Sequence, residues 1–242
     1  MEYSNIGEKI KLLTGSGMWH TREAEGLPSV HLSDGPHGLR KQEEKERQNN
    51  VSLVSTCYPT ASALACSWDV TAAERLGRAV AKEAWNADVA VLLGPGINMK
   101  RSPLCGRNFE YFSEDPFLAG RLGAAYVSAA QGENVAVSLK HFAANNQETN
   151  RQTSNSQIDE RALREIYLSA FEYVVKTARP ATVMASYNRL NGYYACENRH
   201  LLTEILREEW GFDGVVISDW GACADLTKAV KAGMDLEMPD SH

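Results

Sequence analysis

The chain of 242 residues carries a formal net charge of −6, is 43% hydrophobic and 23% charged, and has the makeup of an ordinary folded protein. Its charges are spread along the chain, which excludes the basic footprint of a nucleic-acid or anionic-membrane partner, and no apolar run is long enough to cross a bilayer. Five scattered cysteines without Cys-x-x-Cys spacing, and six histidines without a His-x-x-x-His pair, leave no warrant for a disulfide framework, a metal or a cofactor. Charges interrupt residues 1–13 where a signal peptide needs an apolar core, so the cytoplasm is the expected compartment.

In chain order, the first β-branched run, 29–33, is predicted as a strand and ends at Asp34, inside the turn sequence Ser33-Asp-Gly-Pro-His-Gly-Leu-Arg40. The polar stretch 41–55 reads as a solvated loop, and 57–62 is a weaker strand candidate. An amphipathic helix is expected over 71–85 with Thr71 at its N-cap, followed by a strand at 88–93 that runs into Gly94-Pro-Gly-Ile-Asn98. The long loop 95–116 carries Arg101 and Arg107; loops of that length in a compact domain are often functional. A helix over 117–131 precedes a strand at 135–139, which ends at Lys140-His141 and then Asn145-Asn-Gln147. A helix over 160–177, N-capped by Asp159, leads to the strand 181–186 and Tyr187-Asn188. The last helix, 201–210, stops at Gly211, and strands at 214–218 and 234–237 end on Asp219-Trp220 and Glu237.

Near-continuous apolar strands alternating with helices imply a parallel sheet buried on both faces, in a single domain spanning 1–242. Polar, chemically capable groups follow nearly every strand, and no Gly-x-Gly-x-x-Gly opens a helix. That pattern favours a (β/α)8-like TIM barrel of the α/β class, incomplete at its end, over an open dinucleotide-binding sheet.

A carboxylate at the end of an apolar strand, beside a tryptophan that can stack on a sugar face, makes Asp219 a candidate for chemistry; taken alone, Ser-Asp-Trp fits a loop-capping aspartate equally well. Lys140 and His141 could donate hydrogen bonds to hydroxyls, form a Schiff base or act as a general acid. Asp34 suits a vicinal diol, because a carboxylate accepts from two hydroxyls at once. Arg101 and Arg107 could fork onto oxygens or hold Asp34.

These segments resemble glycoside hydrolase family 3. Beyond 33–40, the blocks Tyr58-Pro-Thr-Ala-Ser-Ala-Leu-Ala-Cys-Ser-Trp-Asp69, Gly94-Pro-Gly-Ile-Asn98 and Gly106-Arg-Asn-Phe-Glu-Tyr-Phe-Ser-Glu-Asp-Pro116 match the family in order. So do Lys140-His-Phe-Ala-Ala-Asn-Asn146, Met184-Ala-Ser-Tyr-Asn188 and Gly211-Phe-Asp-Gly-Val-Val-Ile-Ser-Asp-Trp220, and the nearest likeness is to the bacterial β-glucosidase branch. The resemblance implies a retaining double displacement with Asp219 as nucleophile. It also implies a sugar subsite of Asp34, Arg107, Lys140, His141 and Tyr187, walled by Met184 and Trp220, with Arg101 less clearly placed. Relatives of this branch draw their acid/base carboxylate from a second, α/β sandwich domain. The hexosaminidase branch instead keeps a histidine in the loop after Lys-His-Phe, where this chain reads Ala143-Ala-Asn-Asn-Gln-Glu-Thr-Asn-Arg151. Within the chain only Glu148 and Glu237 come into consideration as acid/base, so the expected partners are a β-linked glucoside and either a second domain or self-association covering the unfinished barrel. The rival expectations are a sugar-binding module without turnover and a Schiff-base aldolase working through Lys140.

Overall fold

The computed structural model describes residues 6–35, 37–42 and 51–240. The strands are β1 (Leu32–Asp34), β2 (Val91–Leu93), β3 (Ala136–Phe142), β4 (Asn155–Ser156), β5 (Thr182–Ala185), β6 (Arg189–Leu190), β7 (Tyr193–Tyr194) and β8 (Val215–Ser218). The helices are α1 (Ile6–Lys11), α2 (Ala61–Ala65), α3 (Val70–Asn86), α4 (Pro116–Gln131), α5 (Glu160–Ala162), α6 (Ser169–Ala178) and α7 (Leu226–Ala232). A π-helical turn, Leu163–Tyr167, joins α5 to α6, and a second π-helix covers His200–Glu209.

One parallel sheet runs β1-β2-β3-β5-β8, and the short β4, β6 and β7 form a separate small one. Among the described residues the expected eightfold barrel is therefore built on five regular strands. Isolated bridges then link the two sheet edges: Ile217 to Leu236, Glu237 to Thr14, Gly15 to Thr21, and His20 to His31. The stretch 234–237 takes part as such a bridge rather than as a regular strand.

Alternation along the strands sorts their side chains into two apolar sets. Leu92, Val137, Leu139, Val183, Ala185 and Val216 join the large core beneath the helices. Leu32, Val91, Leu93, Met184, Ile217 and Leu236 form a smaller cluster on the opposite face of the curled sheet. Continued to the strand ends, the same alternation puts Asp34, Lys140 and Asp219 on the side of the smaller cluster.

Helix α3 buries Ala73, Leu76, Gly77, Val80, Ala81 and Ala84, the three-and-four spacing of an amphipathic stripe. It packs closely on α4, where a Cβ at Gly77 would stand 2.5 Å from the Tyr126 carbonyl oxygen; Gly77→Ala would push the helices apart. Its N-cap is Asp69 rather than Thr71: the Asp69 carboxylate accepts from the Thr71 N–H at 2.8 Å, and an acceptor two residues upstream outcompetes the threonine hydroxyl. Asp159 caps α5 as expected, accepting from the Ala162 N–H. Gly211 follows the last long helix with φ of +72°, a conformation glycine adopts without penalty. The weak strand candidate 57–62 is not a strand. Thr60 instead accepts from the Ala63 N–H and starts α2, so local capping overrides β-propensity there. The charged centre of the 41–55 loop, 43–50, lies outside the described residues.

Candidate active site

A cavity of about 630 Å³ opens at the C-terminal ends of the strands. Asp34, Lys140, Met184, Tyr187, Asp219 and Trp220 line it from strand ends, and Arg107 and Glu110 from the loop after β2. Seven of the sequence-predicted residues therefore line one space. His141 joins them from directly beneath, fully buried and 3.6 Å from the Asp219 carboxylate.

Asp219 is 7% exposed. Its Oδ1 accepts the Trp220 N–H at 2.8 Å, which fixes the carboxylate plane, while Oδ2 is buried with no protein donor at hydrogen-bond geometry. Arg107 Nη1 and His141 Nε2 each stand 3.6 Å from Oδ2, near enough for charge and too far for a hydrogen bond. Burial pushes the Asp219 carboxyl above its usual range, against the lowering pull of Arg107, Lys140, the Trp220 amide and Arg151.

The state of His141 follows from its partners. Arg107 Nη2 lies 2.5 Å from Nε2, and a guanidinium only donates, so Nε2 must accept. The ring proton then sits on Nδ1 and is donated to the Tyr111 hydroxyl oxygen at 2.9 Å. Burial, reinforced by Arg107, Lys140 and Arg151, holds the imidazole well below its usual pKa and keeps it neutral. The Tyr111 oxygen also accepts from Asn145 Nδ2 at 3.1 Å.

Lys140 is 3% exposed and placed between two carboxylates, Glu110 at 3.6 Å and Asp34 at 3.7 Å. Glu110, itself 3% exposed, also accepts from Arg107 Nε at 2.5 Å. Burial alone would raise the Glu110 carboxyl, but Lys140 and Arg107 hold it below the usual carboxylate value. Tyr187 donates to the Trp220 carbonyl at 2.7 Å, and burial together with the Asp219 charge raises its hydroxyl far above the ordinary range. The Trp220 ring is pinned by its Nε1–H bond to the Met18 carbonyl and lies against Trp19 with centroids 5.2 Å apart.

The remaining three candidates fall elsewhere. Arg101 is exposed and does not line the cavity. Glu148 accepts from Asn145 at 2.9 Å and Arg151 at 3.0 Å and faces a neighbouring hollow, with the Arg107 guanidinium between it and Asp219. Glu237 is 1% exposed, its backbone paired with Thr14, and it too is absent from the cavity wall. Sequence reasoning missed Glu110, Tyr111 and Arg151, whose guanidinium sits 4.2 Å over the Tyr187 ring and reaches the cavity. Glu110 follows Arg107 at the i,i+3 spacing of one helical turn, a signal that could have flagged it.

No group of three or more His, Cys, Asp or Glu among the described residues could hold a metal ion, and no helix there is long and apolar enough to cross a membrane. Carboxylates and cations converging at the strand ends of a curled parallel sheet mark the candidate active site. Residues 36–242 match the family profile of the glycosyl hydrolase family 3 N terminal domain, and the chain belongs to that family. It is 54% identical over 241 residues to "Thermostable beta-glucosidase B" of Acetivibrio thermocellus, covering 98% of this chain and 32% of that protein. It is 50% identical to "Exo-alpha-(1->6)-L-arabinopyranosidase" of Bifidobacterium longum, with the same coverage of 98% and 32%. The structure of a Bifidobacterium adolescentis β-glucosidase superposes with a TM-score of 0.93 at 48% identity, over 99% of this chain and 34% of that one. That of β-glucosidase 3B from Thermotoga neapolitana in complex with glucose gives 0.92 at 42%, over 98% and 35%. The chain thus spans about a third of the length of the relatives it matches.

Proposed function

We propose that the protein is the catalytic barrel portion of a retaining β-glycosidase that removes terminal β-D-glucosyl residues, with Asp219 as nucleophile. The observation that carries this reading is the Asp219 carboxylate, set beside Arg107 and His141 at 3.6 Å and lining a cavity rich in cations and hydroxyl-binding groups. In the first step the Asp219 carboxylate attacks the anomeric carbon, and the aglycone leaves with the electron pair of the broken C–O bond. Water then displaces Asp219 from the glycosyl-enzyme with net retention. Asp34, Lys140, Arg107 and Arg151 are assigned to the sugar hydroxyls, Met184 and Trp220 to its apolar face.

Among the described residues, no group on the cavity wall is placed to supply the proton for the aglycone. The other carboxylates on the cavity wall, Asp34 and Glu110, are ion-paired to Lys140. Glu148 and Glu237 lie off that wall, so the acid/base is assigned to a partner domain. Without it, attack on a β-glucoside depends on how well the aglycone leaves unaided. Rates of the isolated chain on aryl β-glucosides of graded leaving-group pKa test this: a steep dependence is expected, since general acid catalysis supplies typically 10²–10⁴-fold. A flat dependence with glycosylation rate-limiting would refute it.

An α-L-arabinopyranosidase is the second reading, favoured by the 50%-identical relative of that name. α-L-Arabinopyranosides present the same equatorial glycosidic bond but lack the C6 hydroxymethyl group and carry the C4 hydroxyl axial rather than equatorial. Parallel rates on the 2,4-dinitrophenyl glycosides of the two sugars decide between them. A Schiff-base aldolase is disfavoured because Lys140 is engaged by two carboxylates rather than facing an apolar wall.

A further inference from the structure

We propose that Glu110 is a positioning residue that holds Arg107 back from Asp219 and so keeps the nucleophilic carboxylate out of a forked ion pair. The proposal rests on Asp219 being the nucleophile. Arg107 turns its Nε to Glu110 Oε1 at 2.5 Å and its Nη2 to His141 Nε2 at 2.5 Å, which leaves Nη1 3.6 Å short of Asp219 Oδ2. A guanidinium beside a buried carboxylate ordinarily closes onto it in a forked pair. Locked in such a fork, both Asp219 oxygens would be engaged and the carboxylate would be a weaker nucleophile. Glu110 prevents that closure by taking the Nε edge.

Two features make Glu110 suited to the task. It ends the 3₁₀ turn Asn108–Glu110 that Arg107 itself begins, so a rigid local loop sets the separation of the pair. Its other oxygen faces Lys140 Nζ at 3.6 Å, so one carboxylate anchors both cations that flank the sugar site. Glu148 does not substitute for it, standing 3.9 Å from Arg107 Nε with its own oxygens already accepting from Asn145 and Arg151.

The charged and titratable groups facing Asp219 are Arg107, His141, Lys140, Arg151, Tyr187 and Cys196; those facing Glu110 are Arg107, Lys140 and, less directly, Tyr111 and Cys105. Removing the Glu110 charge therefore acts on Asp219 in one direction. Arg107 moves in, a negative neighbour disappears, and Asp219 ionises at lower pH.

The test is the pH dependence of covalent labelling by 2,4-dinitrophenyl 2-deoxy-2-fluoro-β-D-glucoside, whose good leaving group needs no acid. In Glu110→Gln the acidic midpoint of labelling is expected to fall by about one unit, the size of effect an opposite charge exerts at this range, and the plateau rate to drop. Glu110→Asp, which keeps the charge, is expected to retain the wild-type midpoint. An unchanged midpoint in Glu110→Gln, an equal shift in both variants, or loss of folding in both would overturn the proposal. Normal labelling of Glu110→Gln with poor labelling only of substrates with bad leaving groups would make Glu110 a proton donor and overturn it too. Failure of the unmodified chain to label at all would instead count against Asp219 as nucleophile.

Discussion

Replacing Tyr111 by phenylalanine removes one oxygen and leaves the ring in place. That oxygen accepts two hydrogen bonds, from His141 Nδ1–H at 2.9 Å and from Asn145 Nδ2–H at 3.1 Å. Both donors are sealed from water, His141 at 0% and Asn145 at 1% exposure, so solvent cannot replace what is lost. An orphaned buried N–H costs about 1–3 kcal/mol, and two of them put the expected loss at about 2–6 kcal/mol. For a chain of this size each kcal/mol lowers the melting temperature by about 2–4 °C, so a drop on the order of 10 °C is expected by calorimetry or circular dichroism. The effect also reaches the site. With Nδ1–H unsatisfied, the imidazole is no longer held on its Tyr111 side, and the ring that accepts from Arg107 2.5 Å away is loosened beside Asp219. Labelling of Tyr111→Phe by the fluoroglucoside should slow accordingly. A melting temperature within about 2 °C of the parent would refute the argument that this buried network, rather than packing alone, holds His141 in place.

Asp219→Asn should stabilise the fold near neutral pH while abolishing labelling. The folded state raises the Asp219 carboxyl, so ionising it costs stability as pH rises through its folded value, and the advantage of the amide should vanish below the ordinary aspartate pKa of about 3.9. Chemical denaturation of both proteins across pH measures this. His141 acts in the opposite sense: its folded pKa is depressed, so the unfolded chain takes up a proton first and stability falls as pH drops below about 6.5. The slope of unfolding free energy there should be about 1.4 kcal/mol per pH unit shallower in His141→Gln than in the parent. Trp19→Ala should weaken glucoside binding about 2–10-fold through loss of the ring packed 5.2 Å from Trp220, read as a dissociation constant by calorimetry.

Much of the site was legible because strands terminate predictably. Asp34, Lys140 and Asp219 each follow an apolar run, and alternation alone sends them to one face of the sheet. Glu110 and Tyr111 sit in a loop where a glutamate ordinarily faces solvent; only the folded arrangement buries that carboxylate between Arg107 and Lys140. Arg101 and Arg107 bracket that loop alike in sequence, and what separates them is the 3₁₀ turn Asn108–Glu110, with Arg107 at its N-cap. Glu148 looked available because nothing local marks that Asn145 and Arg151 occupy both its oxygens. The register of the helix at 200–209 was equally hidden, since an apolar stripe does not distinguish π from α winding.

The nucleophile assignment is tested most directly by digesting the fluoroglucoside-treated chain and locating the adduct by tandem mass spectrometry. A single modified peptide containing Gly214-Val-Val-Ile-Ser-Asp219-Trp220, with the sugar on Asp219 and no labelling in Asp219→Asn, is the expected result. An adduct on another residue, or continued labelling of Asp219→Asn, would contradict it.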